Sequence, residues 1–533
     1  MTTVSPPAST AHAPVLTNLA AYYFQTLESI RNKAFDYIVI GGGAYGTAFA
    51  HRILELDEKA RVLILEKGTI FFPDHAQNLP ATYVDAVYGP AISPWVCTPP
   101  FTVAPQQPYV GGRALFWNAW VPQPRSYELP DWPESVVREL DSEWFLAGQM
   151  IGRRFSLASY GNNNESLNAV ALGRLFAGAS HVTGAVPLTA PSDLEGAFAI
   201  GEDVSPNSFA KYAPVTTLVQ DIQRYKDRLS VVPLAEVMRM DAADGRITTL
   251  HLTNPNAVSD VTTPLNVGGA HVILANNTLE AASLALTALP DHPLLGQNLS
   301  VHNRSALTMR IPVKQFPEIE KELQVCSFYQ LGQVDRERFY HAHISVVYNP
   351  YPHEDRATLY RVLPDASSPQ SLRIYTDPDY VYVLIQTLGE VLGERSAQSW
   401  NNVTRVDGET VVTLEIRDAD EAAWKKMDAF SHDIAHVLAA GASVEYQQAD
   451  ESWTSHPPAN LRSNMVFHEA GTLWMGEDPA TSVTDLQGRV HALGNLWGTG
   501  GMLFPSPGSW NPTFTGIAMT FRLARHFANA AHP

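Results

Sequence analysis

The spacing of apolar residues changes several times along the chain, and each change predicts an element. Leu16 to Lys33 sets Leu19, Tyr22, Tyr23, Leu27 and Ile30 at helical spacing, so a helix is expected there. The texture then breaks into Phe35-Asp36-Tyr37-Ile38-Val39-Ile40, a short run rich in β-branched residues that reads as a buried strand. Gly41-Gly42-Gly43-Ala44-Tyr45-Gly46 follows. Thr47 to Leu54 is mostly small and apolar and reads as a helix, and Arg61 to Leu65 reads as a second strand ending at Glu66.

Residues 71–135 carry few helix signals and are rich in Pro, Gly and aromatics. Within them, Val110-Gly111-Gly112-Arg113-Ala114-Leu115-Phe116-Trp117-Asn118 pairs two glycines in a loop. That pairing means either a turn or backbone pressed against a flat ligand. Leu229–Val232, Ala235–Met238 and Ala270–Ala275 predict strands, and Asn277–Leu286 a helix. Between 311 and 455 the strand-like runs Phe339–Tyr348 and Tyr380–Ile385 point to a mostly antiparallel sheet in a second domain. Asp418-Ala419-Asp420-Glu421 opens a helix with a capping-box-like pattern that Gly441 can close.

The last 70 residues or so hold the densest chemistry. Phe467-His468-Glu469-Ala470-Gly471-Thr472-Leu473-Trp474-Met475-Gly476 reads as a glycine-punctuated loop with one histidine. Asn495–Gly501 reads as a strand running into glycines. Ser509-Trp510-Asn511-Pro512-Thr513 precedes a helix expected from Phe514 to Phe527, with Asn511 and Pro512 suited to its cap and first position.

Composition narrows the function classes. The chain has 533 residues, enough for more than one domain, and is 45% hydrophobic and 17% charged, as a folded protein is. Its formal net charge of −18 argues against nucleic acid and against broad docking on anionic membranes. Two cysteines rule out a disulfide framework and a cysteine-rich metal site. No run is long and apolar enough for a membrane span. Met1 to Val15 lacks the basic start and apolar core of a secretory signal, so it reads as a disordered tail and the location defaults to cytoplasmic.

Strand, glycine turn, helix, strand and acid together make a dinucleotide-binding unit. Gly41 makes the tight turn, Gly43 lets the backbone approach a pyrophosphate, and Gly46 lets the helix pack close to the sheet. The helix N-terminus offers free N–H groups and a positive dipole end to phosphate. Glu66, 20 residues beyond Gly46, stands where a carboxylate accepts hydrogen bonds from ribose hydroxyls. An acid there favours NAD or FAD over NADP.

On its own, His468 is one of 18 histidines and reads as a loop residue bonded to backbone, and Asn511 as a helix cap. Trp474, Trp497 and Trp510, in the same segments, are core packing or aromatic walls for a substrate. Arg113 meets a cofactor phosphate, a substrate carboxylate or a surface acid. Taken together, four pieces resemble the glucose–methanol–choline (GMC) family of flavin-dependent oxidoreductases. They are the Gly41–Glu66 unit, the Gly111-Gly112 loop, Gly296-Gln297-Asn298-Leu299-Ser300-Val301-His302, and the ending from His468 to Asn511. The Val110–Pro122 segment and Asn511-Pro512-Thr513-Phe514-Thr515 look most like the pyranose oxidase and bacterial sugar-acid dehydrogenase branch.

The resemblance implies an α/β fold: a Rossmann-like FAD-binding domain with a second substrate domain built on a mostly antiparallel sheet. It implies FAD in a cradle of Gly41, Gly43, Ala44, Tyr45, Gly46, Glu66, Gly111, Gly112, Trp117, Asn118, Ala119, Val237, Ala275, Gly500, Gly501, Pro512 and Thr513. Within it, Asn118 lies near flavin N5 and Val237 beside the adenine. Phe116 stands at the position where some relatives carry a flavin-bonded histidine, so FAD is expected to be noncovalent. No metal is expected. His468 and Asn511 are the implied catalytic pair. An imidazole that titrates near neutrality suits a general base, and an amide can donate to the substrate oxygen but cannot take its proton. The helix after Pro512 would aim its positive end at the flavin. Asn276-Asn277 and Gly500 depart from the family's usual Ala-Gly and Asp.

The expected layout is a tail and helix over 1–34, FAD-binding segments over 35–155, 211–310 and 456–533, an insertion or lid over 156–210, and a substrate domain over 311–455. The expected function is oxidation of a CH–OH group of an alcohol or carbohydrate by hydride transfer to flavin N5, with oxygen or a quinone-like compound as acceptor. The alternatives are a GMC-like lyase, a light-driven decarboxylase, a non-catalytic FAD-binding protein and, with a simple Rossmann domain, an NAD-dependent enzyme.

Overall fold

The computed structural model describes residues 22–87, 92–155, 165–201, 210–257, 262–366 and 368–531. The expected tail from Met1 to Val15 lies outside these residues, as do 156–164 and 202–209 of the 156–210 segment.

Five parallel strands form the first sheet, in the order Leu496–Gly498, His271–Leu274, Tyr37–Ile40, Val62–Leu65 and Leu229–Val232. Parallel strands covered on both faces need apolar residues at every position, which explains the unbroken runs in the sequence. Alternate side chains serve two cores. Ile38, Ile40, Leu63, Leu65, Val272 and Leu274 share one with Met240, Ile247 and Leu250 of a small antiparallel sheet. Tyr37, Val39, Val62, Ile64 and Ile273 share the other with Phe49, Ile53 and Phe527. Phe49 and Ile53 belong to the helix Ala44–Leu56, and Phe527 to the C-terminal helix Pro512–Ala531.

The second sheet is almost wholly antiparallel. Gln324–Gln333, Phe339–Tyr348, Tyr380–Val391 and Ser300–Pro312 run side by side, and Arg462–Ala470 pairs with the last of them. Period-two alternation divides its faces. Tyr340, Ala342, Ile344 and Val346 pack with Trp424, Met427, Phe430 and Ile434 of the helix Asp418–Ala439. His341, His343 and Ser345 therefore project from the opposite face, toward the parallel sheet's loops.

Two expectations change. The helix predicted over Leu16–Lys33 is interrupted within the described residues: Tyr22 and Tyr23 are helical, residues 24–26 are not, and a short helix capped by Thr26 spans Leu27–Ile30. Just before it, Gln25 N–H donates to Val231 O at 2.8 Å, so the chain is drawn along the edge of the parallel sheet. The segment around His468, expected as a loop, is the end of the strand Arg462–Ala470. No helix among the described residues is long and apolar enough to cross a membrane.

Candidate active site

A cavity of about 920 Å³ runs between the two sheets. It is of the size that holds organic ligands. At one end stands the glycine turn. Gly41 has φ +104°, and a Cβ there would meet Ala275 O at 2.7 Å. Gly46 does not line the cavity; a Cβ on it would sit 2.0 Å from Gly41 O, so its role is the close helix–strand contact expected of it. Gly43, Ala44 and Tyr45 line the cavity at the start of the Ala44–Leu56 helix, which has no side-chain cap, so its first N–H groups face that space. Nothing lies within 4 Å of a Cβ built on Gly43.

Glu66 is buried at the end of its strand and lines the same cavity. Its two carboxylate oxygens accept from Gly42 N–H at 2.7 Å and Gly68 N–H at 2.8 Å. Burial still raises its pKa to about 7, against the lowering pull of those bonds. A carboxylate has about four acceptor sites, so two remain for hydroxyl donors.

Gly112, Trp117, Asn118, Ala119, Val237, Ala275, Gly501, Pro512 and Thr513 also line this cavity, as do His468 and Asn511. Gly111 and Gly500 do not. Gly111 (φ +100°) packs against Leu115 and Val215. Gly500 (φ +76°) lies where a Cβ would come within 2.3 Å of the Tyr45 ring, which explains why no aspartate stands there. Asn277 (φ +79°) caps the helix Thr278–Ala288 through its side chain, while buried Asn276 Oδ1 lacks a partner and Asn276 lines the cavity.

His468 owes its position to a β-bulge. Ser300 opposes Ala470 and His302 opposes Phe467, so His468 and Glu469 together face Val301 alone. His468 takes φ +59°, and the bulge turns its ring toward the cavity. His468 Nδ1 lies 3.0 Å from His302 Nδ1, and His302 Nε2 bonds to Gly508 O. A carbonyl only accepts, so His302 carries its proton on Nε2. Burial holds the His302 pKa down at about 4, so the ring is neutral and its Nδ1 is a lone pair. His468 Nδ1–H must then donate to it, which leaves His468 Nε2 unprotonated. Burial, with the nearby charges of His302, His343 and Arg113, holds the pKa of His468 well below the usual histidine range.

Asn511 is fixed from the other side. His343 Nε2–H donates to Asn511 Oδ1 at 2.9 Å, which leaves the amide N–H₂ available. Trp120 stacks on His343 at 4.1 Å, nearly parallel. Behind them, Asp365 Oδ1 accepts from Asn118 Nδ2 at 2.8 Å and from Trp120 Nε1 at 3.2 Å, and its Oδ2 from Ser345 Oγ at 3.3 Å. Asn118 is thus held by its amide nitrogen while it lines the cavity.

His343, Trp120, Arg304 and Gln386 line the cavity without having been singled out from sequence, and His302 appeared only within a motif. The i, i+2 spacing of His341 and His343 in a strand was the available signal. Trp474, Trp497 and Trp510 are core residues that do not line the cavity. Arg113 is spoken for: it pairs with Glu469 at 2.7 Å and donates to Pro105 O and Ala104 O.

Residues 399–520 match the family model of GMC oxidoreductases. Two enzymes align over short stretches of the chain. Paromamine 6'-oxidase of Streptomyces fradiae is 46% identical over 61 residues, 11% of this chain and 11% of that protein. The oxygen-dependent choline dehydrogenase of Staphylococcus aureus is 32% identical over 88 residues, 16% of this chain and 14% of that one. The alignments thus span only about a tenth to a seventh of these relatives' length. Over nearly the whole fold, the chain superposes on pyridoxine 4-oxidase from Mesorbium loti with a TM-score of 0.59 at 15% identity, covering 93% of this chain and 99% of that one. The two-sheet α/β architecture is thus that of pyridoxine 4-oxidase, and residues 399–520 carry the match to GMC oxidoreductases.

Proposed function

We propose that the chain is an FAD-dependent oxidoreductase that oxidises a CH–OH group of a small alcohol or carbohydrate, with His468 as the base. FAD suits the residues present. The open space over Gly43 would be filled by any side chain, and the uncapped helix start beside it is a phosphate site. Glu66 keeps acceptor capacity for ribose hydroxyls, and Val237 lines the same cavity. Phe116, which also lines it, offers no nucleophile, in keeping with noncovalent FAD. When bound, FAD supplies the hydride acceptor.

The protein's share is the proton and the alignment. His468 Nε2 takes the hydroxyl proton of the alcohol, and the Asn511 amide donates to the same oxygen and fixes its orientation. The observation that carries this reading is the His302–His468 bond, because it leaves a bare imidazole nitrogen on a residue that lines the cavity. The test is anaerobic mixing of the yellow protein with sugars, glycosides, aryl alcohols and aliphatic alcohols while flavin absorbance is followed. Bleaching by an alcohol is expected, and His468→Ala should slow it by about 10²- to 10⁴-fold with FAD retained. An unchanged reduction rate in that variant would refute the base assignment. Reoxidation by air or by benzoquinone then identifies the acceptor class.

A further inference from the structure

Four cationic side chains line the cavity, and three are already engaged. Lys67 pairs with Glu236 at 2.6 Å, Arg113 with Glu469 at 2.7 Å, and Arg405 donates to Ser283 Oγ and Gly408 O, each at 2.8 Å. Arg304 differs. Its Nε is buried without a hydrogen-bond partner, and among the described residues no carboxylate forms an ion pair with it. Its guanidinium lies over the Phe467 ring, 4.9 Å from the centroid. Burial lowers its pKa, and only the more distant charge of Asp365 works the other way. No ion pair joins Asp365 to Arg304, and its two carboxylate oxygens already accept from Asn118, Trp120 and Ser345.

Arg304 is two residues beyond His302 on one strand, so both share a face, about 7 Å apart along it. Leu388 opposes Arg304 on the next strand, and Gln386, two residues from Leu388 on the same face, opposes His343. The guanidinium and the Gln386 amide therefore flank the side chains that hold His468 and Asn511. A desolvated charged donor left unpaired is costly, and a guanidinium matches a carboxylate through two parallel N–H bonds.

We propose that the alcohol oxidised here carries a carboxylate, that this carboxylate docks on Arg304, and that the substrate class is therefore hydroxy acids in which several bonds separate the carboxylate from the oxidised carbon. The proposal rests on the oxidoreductase reading of the same cavity. Two readouts separate the failure of one from the failure of the other. In the first, anaerobic flavin reduction of the holoenzyme compares para-(hydroxymethyl)benzoate with benzyl alcohol, and gluconate with sorbitol. The carboxylate member of a pair should be preferred. Arg304→Met should lower kcat/KM for it by roughly 10- to 100-fold while leaving the neutral member unchanged, and Arg304→Lys should fall between. Equal use of both members, or a neutral preference that Arg304→Met does not alter, overturns the proposal and leaves the His468 reading intact. In the second, benzoate and benzamide are titrated against the holoenzyme and followed by melting temperature and flavin spectrum. Benzoate should shift the wild type and not Arg304→Met, and benzamide should shift neither. This readout holds even if no alcohol bleaches the flavin. No benzoate effect, or loss of FAD from Arg304→Met, overturns the carboxylate site.

Discussion

His302 offers the sharpest test of how the candidate base is prepared. Replacing it with leucine keeps an apolar side chain of similar bulk in a fully buried position and removes the acceptor for His468 Nδ1–H. The lost hydrogen bond is worth about 1 kcal/mol net, and a buried N–H left without a partner costs about 1–3 kcal/mol. His468 escapes that cost by carrying its proton on Nε2, the atom that must be bare to accept one. The competent fraction falls by the same energy, so flavin reduction by a saturating alcohol should slow roughly 5- to 150-fold. His302→Asn places an amide oxygen near the former Nδ1 and should recover most of the rate. The acid limb of the rate profile supplies a readout that a packing defect would not move. His468 is held well below the usual histidine range, with His302 the largest cause after burial. Yet His302 is neutral above about pH 4, so its loss relieves no repulsion there; it removes the acceptor that also stabilises a protonated His468, the His468 pKa falls further, and the limb shifts to lower pH. Stopped-flow reduction under anaerobic conditions from about pH 4 to 9, a range reaching below the usual histidine window, measures both effects. A wild-type rate with an unmoved limb in His302→Leu refutes the reasoning.

Three further outcomes are expected. Gly43→Leu projects into open space at an ordinary φ, so the melting temperature of the apoprotein should stay near wild type while FAD is no longer retained on gel filtration. Gly500→Asp should destabilise by about 2–5 kcal/mol, because overpacking against Tyr45 adds to the cost of a left-handed backbone, and urea unfolding would measure it. His302, His341 and His343 are buried and His468 half-buried, and all four have lowered pKa values, each chiefly through burial. Below about pH 6.5 the unfolded chain therefore binds protons that the fold refuses. Their share of stability should be level above that pH and decline beneath it, opposed by Glu66, Glu128, Glu280 and Glu390, whose pKa values burial raises to about 7, 7, 8 and 8; His341→Phe should therefore gain melting temperature relative to wild type as pH falls, and no relative gain would contradict the assignment of that ring as neutral.

The legible part of this protein was the part written in contiguous residues. The apolar runs predicted the core strands of the parallel sheet, and the Gly41–Gly46 turn predicted the helix that follows it, since period and glycine spacing are local properties. The Phe339–Tyr348 strand was visible for the same reason. The break in the helix predicted over Leu16–Lys33 was not legible, because an edge hydrogen bond from Gln25 to Val231 lies outside any local pattern.

By itself, the sequence determined that a glycine turn between two strands, a Gly-Gly loop and a late histidine and asparagine exist. Only tertiary structure decided what surrounds them. The bulge that aims His468, the His302 lone pair that sets its tautomer, the His343 bond that turns Asn511, and the lack of an ion-pair partner for Arg304 among the described residues all depend on which strands lie together and in what register. A proton's place on an imidazole is set by the atom facing it, and here that atom lies 166 positions away along the chain.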